Sequence, residues 1–341
     1  MFTVIEVTLD LVEFLTFLIA PLLILLLALL IDFIVGEPFG PPHWQPPYKY
    51  HPTSWIGALV SKAKWLFRST RPGIEKVGGI FLALMLIVAF AVPIHFVLHL
   101  LEPFNLFLYV VVAAFLLKFT FAINQEKEYA LKAVRILREG DIAQGREMAA
   151  MWSRRDVRNL DSQQIVSAIV ESMAENLADF KLSPLFYFGL FGVPGAFAYK
   201  VVNILDGTIG FRDPENVNIG WFSAVLDTVV NYIPQRLSTF LIFLASAILG
   251  EDYRNSWKIA RRDQAKIQSI NHGWPVAAMA GALRVQLEKP GYYVVGDELE
   301  ELSVEHIFRA LRIRNVAIVS FFLFALIPLI FLAWVGASLF L

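Results

Sequence analysis

Glu171, Glu175 and Asp179 stand four residues apart in ESMAENLADF, directly before the hydrophobic run KLSPLFYFGLF. On a helix, residues at that spacing form one stripe. Ile165, Ile169, Met173 and Leu177 form a second, apolar stripe, so a helix from about 162 to 180 reads as amphipathic, and a solvated acidic face is the plain interpretation. Two features favour a ligand instead. No Lys or Arg lies between Asp161 and Lys181, so the like charges repel without relief. Asp179 also falls at the edge of an apolar stretch, where unpaired acids are costly and often functional. Carboxylates are hard oxygen donors, suited to Mg²⁺ that keeps several waters and shares phosphate oxygens. Upstream, WSRRDVR supplies Arg154, Arg155, Asp156 and Arg158. Arginine forks match phosphate, although lipid headgroups would account for them equally well.

Other polar groups interrupt apolar sequence. AYKVVNILDGTIGFRDP carries Lys200, Asn203, Asp206 and Arg212, and WFSAVLDTVVNYIPQRL carries Asp227 and Asn231 at i, i+4, then Arg236. Pro234 reads as the end of that second helix, and pairing of Asp227 with Arg236 is the structural alternative to a ligand role. In SINHGWP, Ser269 or Asn271 can cap a helix whose first N–H groups could hold an anion. DFIVGEPFGPPHWQPPYKYHP leaves an apolar run through Asp32 and Gly36 and reaches His51 along an extended, proline-rich path. No GxxxxGK[ST], GxGxxG or HExxH pattern occurs. His95 and His99 share a helix face, but two ligands do not make a metal site.

The elements that must position these groups are membrane helices. The 341 residues are 57% hydrophobic and 17% charged, with 29 Phe and 8 Trp, and mean hydropathy is +0.59. A soluble domain carries about a quarter charged residues. A net charge of −1 gives no field for nucleic acid, and the absence of cysteine excludes disulfides, thiolate nucleophiles and Fe–S clusters. The acidic start lacks the basic region of a signal peptide, so the first apolar run reads as retained. The expectation is an all-α integral membrane protein, one polytopic domain over 1–341, with spans at about 14–35, 79–100, 104–123 and 316–340. Lys and Arg concentrate in 36–77, 124–181 and 251–315, which places these segments in the cytoplasm and both ends outside. Residues 182–202 are interrupted by Pro and Gly as in re-entrant or broken helices, and 237–249 are short for a span. The reading favours neither crossing, which leaves 124–181 and 251–315 as cytoplasmic helical segments. Asp141 and the Asp161–Gln164 pair read as helix caps, and Gly140 as a stop.

Together these motifs resemble the adenosylcobinamide-phosphate synthase (CobD/CbiB) family of cobalamin biosynthesis, from Asp32 to about Tyr293. The strongest part is SRRD, ESMAENLADF, SPLFYFGLFGVPGAFAYKVVNILDGTIGFRD and LDTVVNYIPQRL in order, flanked by DFIVGEP, HP and GWPVAAMAGAL. The resemblance implies an ATP-dependent acid–amine ligase of the cell membrane, multi-pass, with its active site on the cytoplasmic side. Its substrates would be adenosylcobyric acid and (R)-1-amino-2-propanol O-2-phosphate, its cofactors ATP and Mg²⁺, its surroundings the lipid bilayer; a homo-oligomer stays open. On this footing Glu171, Glu175 and Asp179, with Asp206 and Asp227 as further ligands, hold Mg²⁺. Arg154, Arg155, Lys200 and Arg236 bind phosphates beside Asp156. Asn176, Asn203, Ser269, Asn271 and Arg212 orient ATP or the corrin amides, and His51 is the base. The chain departs from the family pattern at Phe180 (commonly Gly), Gly207 (Ser), Thr228 (an acid) and in SINHGWPVAA, where SPNAGWPEAA is usual. A non-catalytic regulator of the same family and a small-molecule transporter are the competing readings.

Overall fold

Apolar runs broken by Pro, Gly and capping residues set the order of elements. They are α1 Phe2–Val35, α2 Pro52–Ala63, α3 Pro72–Phe104, α4 Leu106–Lys118, α5 Asn124–Arg138, α6 Ile142–Trp152 and α7 Ser162–Leu177. Then follow α8 Ser183–Ile209, α9 Trp221–Val230, α10 Tyr232–Leu249, α11 Tyr253–Asp263, α12 Gly273–Leu283, strands β1 Leu287–Lys289 and β2 Tyr293–Val295, α13 Glu305–Phe321 and α14 Ile327–Ser338. This computed structural model describes residues 2–36, 51–153 and 155–338, with side chains for 19–36, 51–153 and 155–333. Among the described residues four stretches are long and apolar enough to cross a membrane: Pro72–Phe104, Ser162–Ile209, Tyr232–Leu249 and Glu305–Ala333. The chain is an all-α membrane protein. The antiparallel pair β1–β2 is a small addition that the sequence reading did not anticipate.

The local signals act as expected. Asp161 accepts from Gln164 N while the Gln164 side chain accepts from Asp161 N, closing a capping box. Asp141 accepts from Gln144 N, and Gly140 ends α5 with φ 78°. Ile165, Ile169, Met173 and Leu177 are fully buried, each contributing about 1.5–3 kcal/mol relative to exposure in water. Two expectations are corrected. The span expected at 104–123 is only the 13-residue α4, about 20 Å at ~1.5 Å per residue. Pro234 starts α10 instead of ending α9, because its missing N–H costs nothing in a first helical turn.

Within α8 the chain reverses. Gly192 has φ 64° and ψ −162°, which a side chain would strain, and Pro194 follows without an N–H to continue the ladder. Tyr187 and Tyr199 therefore stack at 5.5 Å. The Tyr199 hydroxyl donates to the carbonyl of Asp179 at 3.1 Å, whereas twenty residues of straight helix would separate them by about 30 Å. The two legs form a re-entrant hairpin. At its apex Gly189 packs on Leu326, where a Cβ would come within 2.9 Å of that side chain. The link after the hairpin returns to the basic segments: Lys64 pairs with Glu215 at 2.6 Å. The ends of α10 are held there too, by Gln235 on Asp179 at 2.7 Å and by Glu251, just past the helix, on Arg309 at 2.6 Å. The ends of both ambiguous stretches thus contact the basic segments, although each stretch lies in a helix long and apolar enough to cross a membrane.

Where α1, α4, α5 and α13 meet, charges are buried. Lys181 pairs with Glu126 at 2.9 Å, Glu126 with Arg314 at 2.5 Å, and Lys118 with Asp32 at 3.2 Å. Asn124 N donates to Asp32 at 3.0 Å, and Lys181 to the Asn176 carbonyl at 3.2 Å. Three cations face two acids in this knot, and each of the five residues is buried.

Candidate functional site

Between α7 and α8, residues Ala178–Leu182 form one π-helical turn. The wider turn lets Asp179 leave the helix surface toward three other elements. Its Oδ1 accepts from Gln235 of α10 at 2.7 Å, and its Oδ2 meets Nε2 of His272, before α12, at 3.1 Å. The other ring nitrogen lies 3.8 Å from Glu175 Oε1. Burial works against a charge on His272, but the Asp179 and Glu175 carboxylates outweigh it and raise the imidazole from an ordinary 6.5 to about 10.

Asp227 reaches the same place from α9. Burial first, then the like charges of Asp179 and Asp206, push it above the usual carboxylate range. Its Oδ1 accepts from Asn231 at 3.1 Å, and Asn231 Oδ1 accepts from Ser183 at 2.8 Å and Tyr199 at 3.0 Å. The amide thus locks α9 to both legs of the α8 hairpin. Asn271, buried, donates to the Thr228 carbonyl at 2.9 Å and accepts from Arg236 at 2.5 Å. The Arg236 guanidinium also stacks 3.7 Å from the Tyr232 ring, so Asn271, and not Asp227, is its partner. Lys200 lies 4.8 Å from the ring of Phe180, next to Asp179 in the chain. Asn203 and Asp206 follow on the same leg, half-buried, as Asn176 is on α7.

Glu171 sits differently from its two stripe partners. It is buried beneath the β-hairpin, where it pairs with Arg155 and accepts from the Tyr293 hydroxyl at 2.5 Å. Burial and the adjacent carboxylate hold that hydroxyl well above its ordinary pKa, so it stays a donor. Arg155 also bonds Ser153 Oγ at 3.0 Å and the Glu288 carbonyl at 3.4 Å. It is committed to holding the hairpin on α7. Arg154 lies outside the described residues. Asp156 is exposed and paired with Arg158 at 2.6 Å, whose hydrogen bonds lower it to about 2. His51 caps α2, accepting from Thr53 N at 3.2 Å, and packs edge-on to Phe119 at 5.4 Å. Arg212 is exposed beyond the hairpin. The SINHGWP turn uses its own N–H groups: Ser269 Oγ accepts from His272 N at 3.2 Å, and Gly273 N donates to the Ser269 carbonyl at 3.4 Å. The anion cradle expected there is therefore closed on itself. A Cβ on Gly273 would stand 2.0 Å from the Gln264 carbonyl, so only glycine fits that turn.

Among the described residues no three His, Asp or Glu side chains converge to hold a metal ion unaided. A Mg²⁺–phosphate site asks less of the protein, one or two carboxylates with water and phosphate oxygens. Glu175, Asp179, Asp206 and Asp227 supply hard donors in one region, and buried Glu171 Oε2 has no hydrogen-bond partner. The donor set fits Mg²⁺ in chemistry. Sequence reasoning overlooked His272, Gln235, Tyr199 and Tyr293. The signal for His272 was on the page, as the imidazole in SINHGWP; nothing local marked the other three.

The model of the CobD/Cbib protein family matches residues 25–314. A probable cobalamin biosynthesis protein CobD of Methanothermobacter thermautotrophicus is 38% identical over 89% of this chain and 96% of its own. Similar proteins named cobalamin biosynthesis protein CobD occur in Dehalococcoides mccartyi, 38% identical over 87% of this chain and 93% of the relative, and Klebsiella pneumoniae, 32% identical over 85% and 92%. No solved structure matches.

Proposed function

Because this chain belongs to the CobD/Cbib protein family, whose named relatives act in cobalamin biosynthesis, we propose that it is the ligase joining adenosylcobyric acid to (R)-1-amino-2-propanol O-2-phosphate at the expense of ATP. The observation that carries the reading is the gathering of Glu175, Asp179, Asp206 and Asp227 at the mouth of the re-entrant hairpin, with Lys200 and Arg236 beside them. A carboxylate and an amine do not condense unaided in water. Phosphoryl transfer from ATP to the corrinoid carboxylate oxygen releases ADP and leaves an acyl phosphate. The free amine attacks its carbonyl, phosphate departs, and the ammonium proton passes to a base. Such transfer depends mostly on positioning and charge.

Glu175, Asp179, Asp206 and Asp227 would hold Mg²⁺, with Glu171 offering Oε2 alone; the ion, when bound, neutralises phosphate charge. Lys200 and Arg236 would bind phosphate oxygens, and Asn176, Asn203 and Asn271 the donor edges of substrate. In this reading Arg155 supports the site through Glu171 and does not touch phosphate. The site would face the cytoplasm, where ATP is available.

Detergent-purified protein supplied with ATP, Mg²⁺, adenosylcobyric acid and the amine phosphate should yield the amide by mass spectrometry. Folded protein that makes no amide under any condition would exclude the ligase. The orientation is tested separately: the chain has no cysteine, so Val217→Cys in sealed, right-side-out vesicles should resist an impermeant thiol reagent. Ready labelling from outside would reverse the assignment.

A further inference from the structure

We propose that the cavity at the apex of the α8 hairpin is a lipid site, built for a diacyl phospholipid whose head carries a primary ammonium on a phosphodiester. The cavity measures about 400 Å³ and lies where α1, α3, α4 and α14 meet residues 188–194 of the hairpin. Gly192 stands thirteen residues beyond Asp179, about 20 Å along a helix, so this place is distinct from the carboxylate site. Its walls divide in two. Ala20, Ile24, Ile330 and the hairpin apex are apolar, whereas His95, His99 and Glu102 of α3 and Tyr109 of α4 are polar. The three α3 residues share one helix face at i, i+4 and i+7, and all three are exposed.

The polar wall carries one sign of charge. Residues 77–117 contain no Lys or Arg and a single acid, Glu102, and among the described residues no Lys or Arg lines the cavity. An acid alone in a membrane segment is costly, and an ammonium that can donate N–H groups to it is its complement. The His95 and His99 rings lie parallel with centroids 6.0 Å apart. A neutral imidazole offers one N–H, which suits a phosphodiester oxygen. The 33 residues of α3 extend about 50 Å, against a hydrocarbon core of about 30 Å, so its last turns reach the headgroup layer. From that end inward come Glu102, His99 and His95, and then the apolar wall. Ammonium, phosphate and acyl chain follow in the same order along the lipid. A head of net negative charge would meet Glu102 with no cation to offset it. The bound lipid fills the space beside Gly189 and Gly192 and braces the turn of the hairpin.

The probes are phosphatidylethanolamine, phosphatidylcholine and phosphatidylglycerol with identical acyl chains, added to the full-length protein in detergent and followed as adducts by native mass spectrometry. Wild type should hold the ethanolamine lipid about tenfold more tightly than the glycerol lipid, the worth of one hydrogen bond between charged groups. It should also hold it more tightly than the choline lipid, whose ammonium has no N–H. Glu102→Gln should erase both preferences, and His99→Ala should weaken binding of the ethanolamine lipid. Hydrogen exchange at residues 191–193 should slow when that lipid is bound. Choline or glycerol lipid held as tightly as the ethanolamine lipid overturns the site, as does a preference that survives in Glu102→Gln or exchange that the lipid leaves unchanged. Soluble phosphoethanolamine should not displace the lipid; displacement would assign the cavity to a free amine phosphate and overturn the lipid proposal. Glu102 is exposed, so Glu102→Gln keeps the fold, and should His99→Ala unfold, the headgroup comparison decides. Lipid binding is read without turnover and stands or falls apart from the ligase.

Discussion

Asp179 and Lys181 are separated by a single residue of one π-helical turn, yet they belong to opposite electrostatic regions. Lys181 points into the buried knot, where it shares Glu126 with Arg314 while Lys118 pairs with Asp32. Asp179 points into a region where it, Glu175 and Asp227 act on one histidine, and where Asp227 is pushed toward neutrality by burial and by the charges of Asp179 and Asp206. Paired, buried charges fix how helices meet; crowded, half-open acids store an attraction for something not part of the chain. The turn is the boundary between scaffold and site.

That contrast can be broken experimentally. Glu126→Gln leaves Lys181 and Arg314 buried without their carboxylate and should cost about 3–5 kcal/mol, read as a lower thermal midpoint in detergent. Unchanged unfolding would mean the knot is not structural. Asp179→Asn should do the reverse, lowering amide formation by about 100-fold or more, the scale of one lost electrostatic group in a site. Its thermal midpoint should change less than that of Glu126→Gln. A variant with normal turnover would remove Asp179 from the chemistry. Gly192→Ala forces a side chain onto φ 64° and should cost about 1–2 kcal/mol, with the loss in the hairpin visible as faster hydrogen exchange around Tyr187 and Tyr199.

The smallest effect is the pH dependence of the metal-free protein. His272 is raised from 6.5 to about 10. Its contribution to stability is therefore complete below 6.5 and is lost as pH climbs through about 10. Asp227, also raised, adds a fall of the same sign that begins at lower pH. The difference in slope between wild type and His272→Gln over the histidine window isolates the imidazole. Parallel slopes would show that its contact with Asp179 carries no net charge.

Much of the scaffold was legible in the sequence because its signals are local. The capping box at Asp161, the stop at Gly140 and the broken pattern around Gly192 each act within a few residues. The i, i+4 stripe was legible too, but its uniform use was not. Glu171 is claimed by Arg155 and by Tyr293, the latter more than a hundred residues away, and no helical spacing records a partner that arrives on a later hairpin. Convergence of Asp227 and His272 on Asp179 depends on the reversal of α8 and the return of α10, both tertiary events. His51 serves as the cap of α2, a use that a histidine before proline fills readily. Pro234 was misplaced because proline marks either border of a helix, and only the neighbouring Asn231 cap tells which.

The apex of the α8 hairpin rests against Leu326 and Leu329 in the middle of the last apolar stretch, while its two legs join Asp179 to Asp206. Spanning helices adjust their tilt to the thickness of the bilayer. A change in tilt there lifts or lowers the apex, and the rigid legs carry that displacement to the carboxylates. On the proposed reading the geometry of the site would be gauged from inside the lipid, and acyl-chain length and lateral pressure would act on the chemistry alongside ion and substrate concentrations.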